Sequence, residues 1–302
     1  MRYATAKLKI GDVSLKKKAI GLALIIAVLA GMGHLFREDL SFLWGGYATP
    51  SSSIELVSSK DGTVALLSAR ILRKVAHDPK LFVQGLQFVG DHLYEGVGLY
   101  AKSQLIRYHF NRESGSLNIV WRKDLAADEF GEGIAALDGV LYQLTWKRGR
   151  VHRYRESGEG LEEIPAWIND REGWGLTTDG ESLIASDGSA TLFFRSAKDF
   201  SIERTIQVRH RDKPVVHLNE LEFIDGKIWA NVWKTDHILV IDPRTGVVTA
   251  VVDCSELVAD ARSAWVDIDF LNGIAWDKVG GHLYLTGKFW PWIYQVSLEA
   301  RS

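Results

Sequence analysis

The sequence predicts an all-β protein, a five-bladed β-propeller preceded by an N-terminal transmembrane or signal helix. Three observations predict it: many Gly (28) and Trp (11) but few Pro (6), short apolar runs between turn residues after residue 65, and an internal repeat. The repeat places a β run, a turn and a second β run at Gly85, Gly133, Gly175, Glu220 and Gly273. These starts lie 48, 42, 45 and 53 residues apart by subtraction. Such periods, holding about four strands each, are typical of propeller blades.

The first 64 residues divide into three segments by charge and hydropathy. Residues 1–18 carry six basic side chains and one acid, residues 19–36 carry no Asp, Glu, Lys or Arg, and residues 37–64 are polar and rich in Ser. An apolar run of this length after basic residues is typical of a membrane span whose basic end is cytoplasmic. We expect an uncleaved anchor and a stalk, with residues 65–302 on the periplasmic side. The alternative is a secreted protein, cleaved near Ala30.

Charge and cysteine content exclude several classes of function. Without residues 1–18 the chain carries 30 basic and 37 acidic residues, by subtraction from the totals. The resulting negative charge argues against nucleic acid as a partner. The one cysteine, Cys254, excludes an intramolecular disulfide and a cysteine-rich zinc site, and we expect it to be buried as a small apolar residue.

Further strand candidates lie between the repeated hairpins. They are residues 104–110, 151–155, 191–195, 238–242, 247–252 and 292–298. We expect no helix after residue 66. The fifth repeat ends one strand short, whereas residues 66–75 are left over at the start. We predict that this run supplies the missing strand and closes the ring, because closure removes the exposed edges of an open sheet.

Two positions in each repeat are predicted to meet at one end of the central axis. One precedes the first strand, and the other lies five residues past the residue that opens the second strand. The ten residues are Gln84, Glu132, Trp174, Asn219, Asn272, Gly98, Trp146, Gly188, Trp233 and Lys288. Three tryptophans, one carboxylate and one ammonium group predict an apolar pocket with a few convergent polar groups.

Glu132 is the candidate acid–base group of this pocket. It stands between two glycines, and a Trp-lined cavity disfavours a charged carboxylate, so we expect its pKa to rise toward neutrality. Lys288 would oppose this shift or stabilise an oxyanion. The alternative for Lys288 is a simple ion pair with Glu132. Asn219 and Asn272 are candidates for orienting an amide or carbonyl group, although Asn is also a common turn residue.

Eight ordered motifs carry a resemblance to a known family. They are FVQGL from Phe82, FGEG from Phe130, EGWGL from Glu172, SDGS from Ser186, LNELE from Leu218, WANVW from Trp229, LNGIA from Leu271 and TGKFWP from Thr286. Between about Val75 and Val296 the sequence resembles the glutamine cyclotransferases, the plant and bacterial type of glutaminyl cyclase. The resemblance implies a five-bladed propeller that converts N-terminal glutamine of peptides to pyroglutamate and releases ammonia.

The resemblance also implies roles for pocket residues. Glu132 matches the family's essential acid, and the other matched positions are Phe82, Gln84, Phe130, Trp146, Trp174, Asn219, Trp233 and Lys288. We expect Glu132, Lys288 and Asn219 to be catalytic and the others to bind substrate. One departure lies in the first repeat. The family usually has ESTGLYG there, and this chain has EGVGLYA from Glu95, so two hydroxyl groups near Glu95 are missing.

The expected cofactors and peptide partners follow from the same resemblance, whereas the membrane is expected from the charge and hydropathy of residues 1–36. No catalytic metal is implied, and the partners are peptides or proteins with N-terminal Gln, together with the membrane through residues 19–36. We expect a monomer. Asp187 and Asp267 could bind a structural calcium ion, although turn-forming Asp is the favoured interpretation. Two alternatives for the function are a metal-dependent, lactonase-like propeller hydrolase and a non-catalytic propeller that binds proteins.

Overall fold

A computed structural model describes residues 64–158 and 160–301. The predicted segments 1–18 and 19–36, and nearly all of the predicted stalk, lie outside the described residues. The strands are β1 (Ala65–Ala76), β2 (Val83–Val89), β3 (His92–Val97), β4 (Gln104–Asn111), β5 (Ser116–Asp124), β6 (Gly131–Leu137), β7 (Val140–Thr145), β8 (Arg150–Ser157), β9 (Gly160–Ile168), β10 (Leu176–Thr178), β11 (Leu183–Ala185), β12 (Thr191–Arg195), β13 (Ile202–Gln207), β14 (Arg209–His210), β15 (Lys213–Pro214), β16 (Leu218–Ile224), β17 (Lys227–Val232), β18 (His237–Ile241), β19 (Val248–Asp253), β20 (Leu271–Asp277), β21 (His282–Gly287) and β22 (Trp292–Ala300). Within the described ranges, no helix is long and apolar enough to cross a membrane.

The strands pair in antiparallel groups of four, which makes the fold all-β and propeller-like, as predicted. β2–β5, β6–β9 and β10–β13 form three separate four-stranded sheets. β16–β19 form a fourth group, and β20–β22 form a fifth with β1 as its outermost strand. The short ribbon β14–β15 precedes the fourth group. The strand candidates from the sequence correspond to β4, β8, β12, β18, β19 and β22.

Strand β1 completes the fifth group, so the predicted role of residues 66–75 is confirmed. It pairs antiparallel with β22 from Leu67 to Ala76. The same strand pairs in parallel with β19 from Ala65 to Ser68, which the sequence did not predict. As a result, β1 joins the fourth and fifth groups into one eight-stranded sheet.

The first strands of the groups form the innermost layer. They contact one another in a closed circle, in the order β2, β6, β10, β16, β20 and again β2. Glycine permits this close approach, because a Cβ on Gly133 would lie 2.5 Å from the backbone nitrogen of Leu176. A Cβ on Gly175 would overlap the carbonyl oxygen of Asn219. The small residue that opens most repeats therefore marks the points where neighbouring groups touch.

Two carboxylates of β16 tie the innermost strands together. The backbone N–H of Leu86 donates to Glu220 Oε1 (3.2 Å), and that of Ile274 donates to Glu220 Oε2 (2.9 Å). The backbone N–H of Trp276 donates to Glu222 Oε1 (3.2 Å). Because Leu86 belongs to the first group and Ile274 to the fifth, Glu220 of the fourth group links three groups.

Glu95, where the first-repeat motif departs from the family, is fully buried and hydrogen-bonded. Tyr108 OH donates to Glu95 Oε2 (2.8 Å), and His77 Nε2 lies 3.1 Å from Glu95 Oε1. His77 Nδ1 donates to the carbonyl oxygen of Trp290 (2.9 Å). Burial lowers the pKa of His77. The charge of Glu95 and the hydrogen bonds to Glu95 and Trp290 raise it by more, so the net shift is upward. These hydrogen bonds connect His77, which follows β1, to the first group. They do not require the two hydroxyl groups that this chain lacks near Glu95.

A helix, α1 (Ser255–Ala264), shows that the expectation of no helix after residue 66 is wrong. Its buried residues are Leu257, Val258 and Ala261, which recur at helical spacing and pack in one core cluster with Trp290. The helix is short and buries only these three residues, so its helical spacing of apolar residues is too weak to be recognised between the surrounding strands. Cys254, directly before the helix, is buried as predicted.

Candidate active site

A repeated backbone hydrogen bond sets the two predicted pocket positions of a group side by side. The N–H groups of Gly98, Trp146, Trp233 and Lys288 donate to the carbonyl oxygens of Phe82, Phe130, His217 and Phe270, at 2.8, 3.0, 2.9 and 2.9 Å respectively. Each acceptor lies two residues before the other pocket position of its group. The third group departs from this register, since the N–H of Trp174 donates to the carbonyl oxygen of Ser186 (3.1 Å).

The predicted aromatic residues meet edge to face in two clusters. The ring centroid of Phe130 lies 6.0 Å from that of Phe82 and 5.7 Å from that of Trp146. The centroids of Trp174 and Trp233 lie 5.6 Å apart. Offset and edge-to-face contacts of this kind stabilise aromatic clusters beyond their burial. We call these five residues the aromatic cage.

Glu172 joins the two halves of the aromatic cage, and the sequence reasoning assigned it no role. Its Oε2 atom accepts hydrogen bonds from Trp146 Nε1 (2.7 Å) and Trp174 Nε1 (3.2 Å). A signal was present, because Glu172 lies two residues before Trp174, just as Phe130 lies two residues before Glu132. Side chains two residues apart in extended chain point to the same side.

Glu132 is a buried carboxylate, with 4% of its surface exposed. Burial raises its pKa well above the usual range, and the charge of Glu172 adds to the rise. Lys288 and a hydrogen bond from Gln84 act in the opposite direction. The direction agrees with the sequence-based expectation, in which the cavity disfavours the charged form and Lys288 opposes the shift.

Lys288 is as buried as Glu132, and its Nζ atom lies 4.7 Å from the ring centroid of Phe82. Burial lowers the pKa of Lys288, whereas Glu132 and Asp269 raise it, and the net shift is downward. Among the described residues, no direct ion pair joins Lys288 to Glu132. The charge of each group therefore shifts the pKa of the other without a direct contact between them.

The two predicted asparagines differ in their hydrogen bonding. Asn272 Nδ2 donates to the carbonyl oxygen of Val83 (2.9 Å) and to Gln84 Oε1 (3.2 Å), so Asn272 orients Gln84. Asn219 is buried, and its Oδ1 atom has no hydrogen-bond partner within the described part of the chain. Asn272 Oδ1 likewise has no partner among the described residues, so each asparagine leaves one acceptor oxygen unused, and the two differ in that Asn272 Nδ2 is fixed by Val83 and Gln84.

Asp269 is a second carboxylate near Lys288 that the sequence reasoning did not single out. Its backbone N–H donates to the carbonyl oxygen of Lys288 (2.8 Å), and its own carbonyl oxygen accepts from Trp290 Nε1 (2.9 Å). Burial raises the pKa of Asp269, and the charges of Lys288 and Lys234 oppose the shift. Because it precedes Asn272 by three residues, strand alternation does not predict it; only the pairing with the Lys288 segment brings it to the pocket.

The two candidate calcium ligands, Asp187 and Asp267, lie in surroundings that differ from those of metal ligands. Asp187 Oδ1 accepts the N–H of Ser189 (3.0 Å), as in an Asx turn, and Asp187 also pairs with Arg171 (3.4 Å). Asp267 is exposed. Across residues 64–158 and 160–301, no group of three or more His, Cys, Asp or Glu side chains is arranged to hold a metal ion.

A family model, a related sequence and a solved structure all relate this chain to the same kind of protein. The family model described as glutamine cyclotransferase matches residues 47–298, so the match begins well before Val75, where the motifs begin. A glutaminyl-peptide cyclotransferase of Arabidopsis thaliana is 33% identical over 291 residues, which are 95% of this chain and 86% of the relative. The crystal structure of Myxococcus xanthus glutaminyl cyclase superposes with a TM-score of 0.72 at 35% identity, covering 79% of this chain and 100% of that chain. The chain belongs to the glutamine cyclotransferase family.

Proposed function

We propose that this protein cyclises N-terminal glutamine to pyroglutamate and releases ammonia, and that its five four-stranded groups are the blades of a five-bladed propeller. The observation that carries the proposal is the state of Glu132: a buried carboxylate of raised pKa, close to an aromatic cage and to Lys288. The family membership and the named activities of both relatives support the same reaction.

Glu132 is the proton-transfer group in this proposal. The free amine of the substrate attacks the side-chain carbonyl carbon, and a C–N bond forms while the carbonyl oxygen becomes an oxyanion. The Glu132 carboxylate takes a proton from the attacking nitrogen and then gives it to the departing amide nitrogen. The C–N bond to that nitrogen breaks, the carbonyl re-forms, and ammonia leaves. A carboxyl group of raised pKa suits both transfers near neutral pH.

Lys288 and Asn219 stabilise the reacting groups. Lys288 provides the positive charge that an oxyanion requires, in a site where burial strengthens the interaction. The unpartnered Oδ1 of Asn219 accepts a hydrogen bond from the amine or the departing amide nitrogen. These two roles explain why both polar groups are buried in an otherwise aromatic pocket.

The aromatic cage selects the folded conformation of the glutamine side chain. The attack is intramolecular, so its rate depends on how often the amine and the carbonyl carbon come within reacting distance. Indole and phenyl faces pack against the methylene groups and exclude extended rotamers. Gln84, held by Asn272, contributes the polar contact that orients the substrate beside Glu132.

We extend the proposal to cellular placement and assembly. The basic residues 1–18 and the uncharged residues 19–36 support a membrane anchor, with the propeller outside the cytoplasm as a monomer. Digestion of intact spheroplasts with an added protease tests the topology: the propeller is expected to be degraded while a cytoplasmic marker protein survives. Survival of the propeller under these conditions would contradict it.

Mass spectrometry of a peptide with N-terminal Gln tests the reaction. Incubation with the enzyme is expected to remove the mass of one ammonia molecule from that peptide. The same peptide with an acetylated N-terminus lacks a free amine and should remain unchanged, as should a peptide that begins with Asn.

The two alternative functions predict other outcomes in the same assay. Loss of the activity after treatment with EDTA would favour the metal-dependent hydrolase. Failure to cyclise any Gln-initiated peptide, with the fold intact by circular dichroism, would favour the non-catalytic propeller.

A further inference from the structure

Glu172 lies in the segment between β9 and β10, and it contacts cage residues that come from two different groups. Trp146 follows β7 of the second group, and Trp174 precedes β10 of the third. Both indole N–H groups donate to the same carboxylate oxygen, at 2.7 and 3.2 Å. Hydrogen bonds to an ionised acceptor are stronger than bonds between neutral groups. One oxygen atom thus fixes the edges of two indoles across a boundary between sheets.

Packing extends this restraint to the rest of the aromatic cage. A Cβ on Gly188 would lie 2.7 Å from the indole of Trp174, so this indole packs directly against the Gly188 backbone. Trp174 also meets Trp233 edge to face, and Trp146 meets Phe130 in the same way. A rotation of either indole would therefore disturb both halves of the aromatic cage.

The charge of Glu172 acts on Glu132 as well. The groups that face Glu132 are Lys288 from the end of β21, Gln84 from β2, Glu172, and Tyr100 after β3. Lys288 and Gln84 favour the ionised form of Glu132, and Glu172 favours the protonated form because like charges repel.

We propose that Glu172 is a positioning residue of the cyclisation site, which holds Trp146 and Trp174 in the orientation that encloses the glutamine side chain. The proposal rests on the proposed function. Its second consequence is electrostatic: the negative charge of Glu172 makes the Glu132 carboxylate a stronger base, so that it takes the proton from the attacking nitrogen more readily.

Two variants separate the hydrogen bonds from the charge. Glu172→Ala removes both, and Glu172→Gln keeps the size and one acceptor oxygen but removes the charge. Glu181→Gln is the matched control, because Glu181 is an exposed glutamate in the turn between β10 and β11, away from the aromatic cage. All three are compared with the wild-type protein by thermal unfolding, so that a loss of folding is recognised.

The first readout does not depend on activity. In spectra of ¹⁵N-labelled protein, two indole N–H resonances are expected to shift in Glu172→Ala, because their acceptor is lost, and to stay in place in Glu181→Gln. Unchanged indole resonances in Glu172→Ala would overturn the proposal. This result can be read even if the wild-type protein cyclises no peptide, in which case the proposed function fails separately.

The second readout is the reaction. Glu172→Ala is expected to raise KM and to lower kcat/KM by about 10- to 10²-fold, the cost of misplaced binding groups. Glu172→Gln is expected to lose less activity, and the acid limb of its kcat profile should move to lower pH, because loss of a neighbouring negative charge lowers the pKa of Glu132. Saturating substrate is used so that the ionisation of the free substrate amine does not affect the pH profile.

Two kinetic outcomes contradict the proposal. One is wild-type KM and kcat/KM in Glu172→Ala. The other is a loss of activity that only parallels a loss of thermal stability, with the pH profile of Glu172→Gln unchanged, which would assign Glu172 a merely structural role.

Discussion

Two regions of the innermost layer contain buried carboxylates, and they differ in what their oxygens accept. Glu132 at the pocket end is 4% exposed, and Glu220 and Glu222 of β16 are 1% and 5% exposed. Burial is the largest cause of a raised pKa at all three, so burial alone does not distinguish them.

Hydrogen bonding separates the two regions. Glu220 accepts backbone N–H groups with both oxygens, and Glu222 accepts one from Trp276. In the described part of the chain, Glu132 accepts from the Gln84 side chain and faces Lys288, but no backbone N–H donates to it. A carboxylate committed to the backbone holds the fold, whereas one that is buried without such donors is available for proton transfer.

The sharpest test of this difference is Glu132→Gln. Removal of the proton-transfer group is expected to lower kcat by about 10²- to 10⁴-fold. Thermal stability should be unchanged, because no backbone donor loses its acceptor. Steady-state cyclisation kinetics and thermal unfolding measure the two quantities, and near-normal turnover would remove Glu132 from the mechanism.

Lys288→Met tests whether the cation of the pocket serves the reaction. The variant keeps most of the side-chain volume, and we expect kcat to fall by about 10²-fold, the effect of losing one oxyanion-stabilising group. Because Lys288 lowers the pKa of Glu132, the acid limb of the kcat profile should move to higher pH. A large loss of stability with unchanged kcat would instead make Lys288 a structural counter-ion.

Glu220→Gln tests the opposite side of the comparison. The amide retains one acceptor oxygen, so the N–H of Leu86 or of Ile274 is left without a partner. We expect the free energy of unfolding to fall by about 1–3 kcal/mol, the cost of one unsatisfied buried donor. Urea denaturation measures it. A stable Glu220→Gln variant with the turnover defect of Glu132→Gln would break the comparison.

Glu222 adds a pH dependence of stability. Its pKa is raised from 4.5 to about 7 in the folded protein. The unfolded chain therefore releases this proton first, and stability present below pH 4.5 is lost as the pH rises toward 7. The slope of unfolding free energy against pH should be shallower in Glu222→Gln by up to about 1.4 kcal/mol per pH unit. Identical slopes in the two proteins would contradict the assignment.

Much of the fold was predictable because each repeat carries its own local signals. Alternating apolar residues and turn residues predicted most strands, and the missing last strand predicted the role of β1. The helix α1 was missed because a short segment with three buried residues has too weak a period. The parallel pairing of β1 with β19 was missed because no local pattern specifies which distant strand a free edge will meet.

The pocket residues were predictable to the extent that the repeats share a register. Equivalent positions brought Glu132, Lys288 and the tryptophans to one end of the fold. Glu172 was overlooked because only one position before each strand was considered, although alternation also points to the position two residues earlier. Asp269 carries no such signal, since its approach to Lys288 depends on pairing beyond the ends of β20 and β21.

The sequence alone predicted the strand repeat, the aromatic character of the pocket and the placement of Glu132 and Lys288 in it. Only the tertiary structure decided which buried carboxylates are committed to the backbone. The donors to Glu220 lie 134 and 54 residues away in the chain, and Trp146 lies 26 residues from Glu172. Such partners meet only when separate sheets close into a ring, and hydrogen bonds across those boundaries distinguish a structural acid from a reactive one.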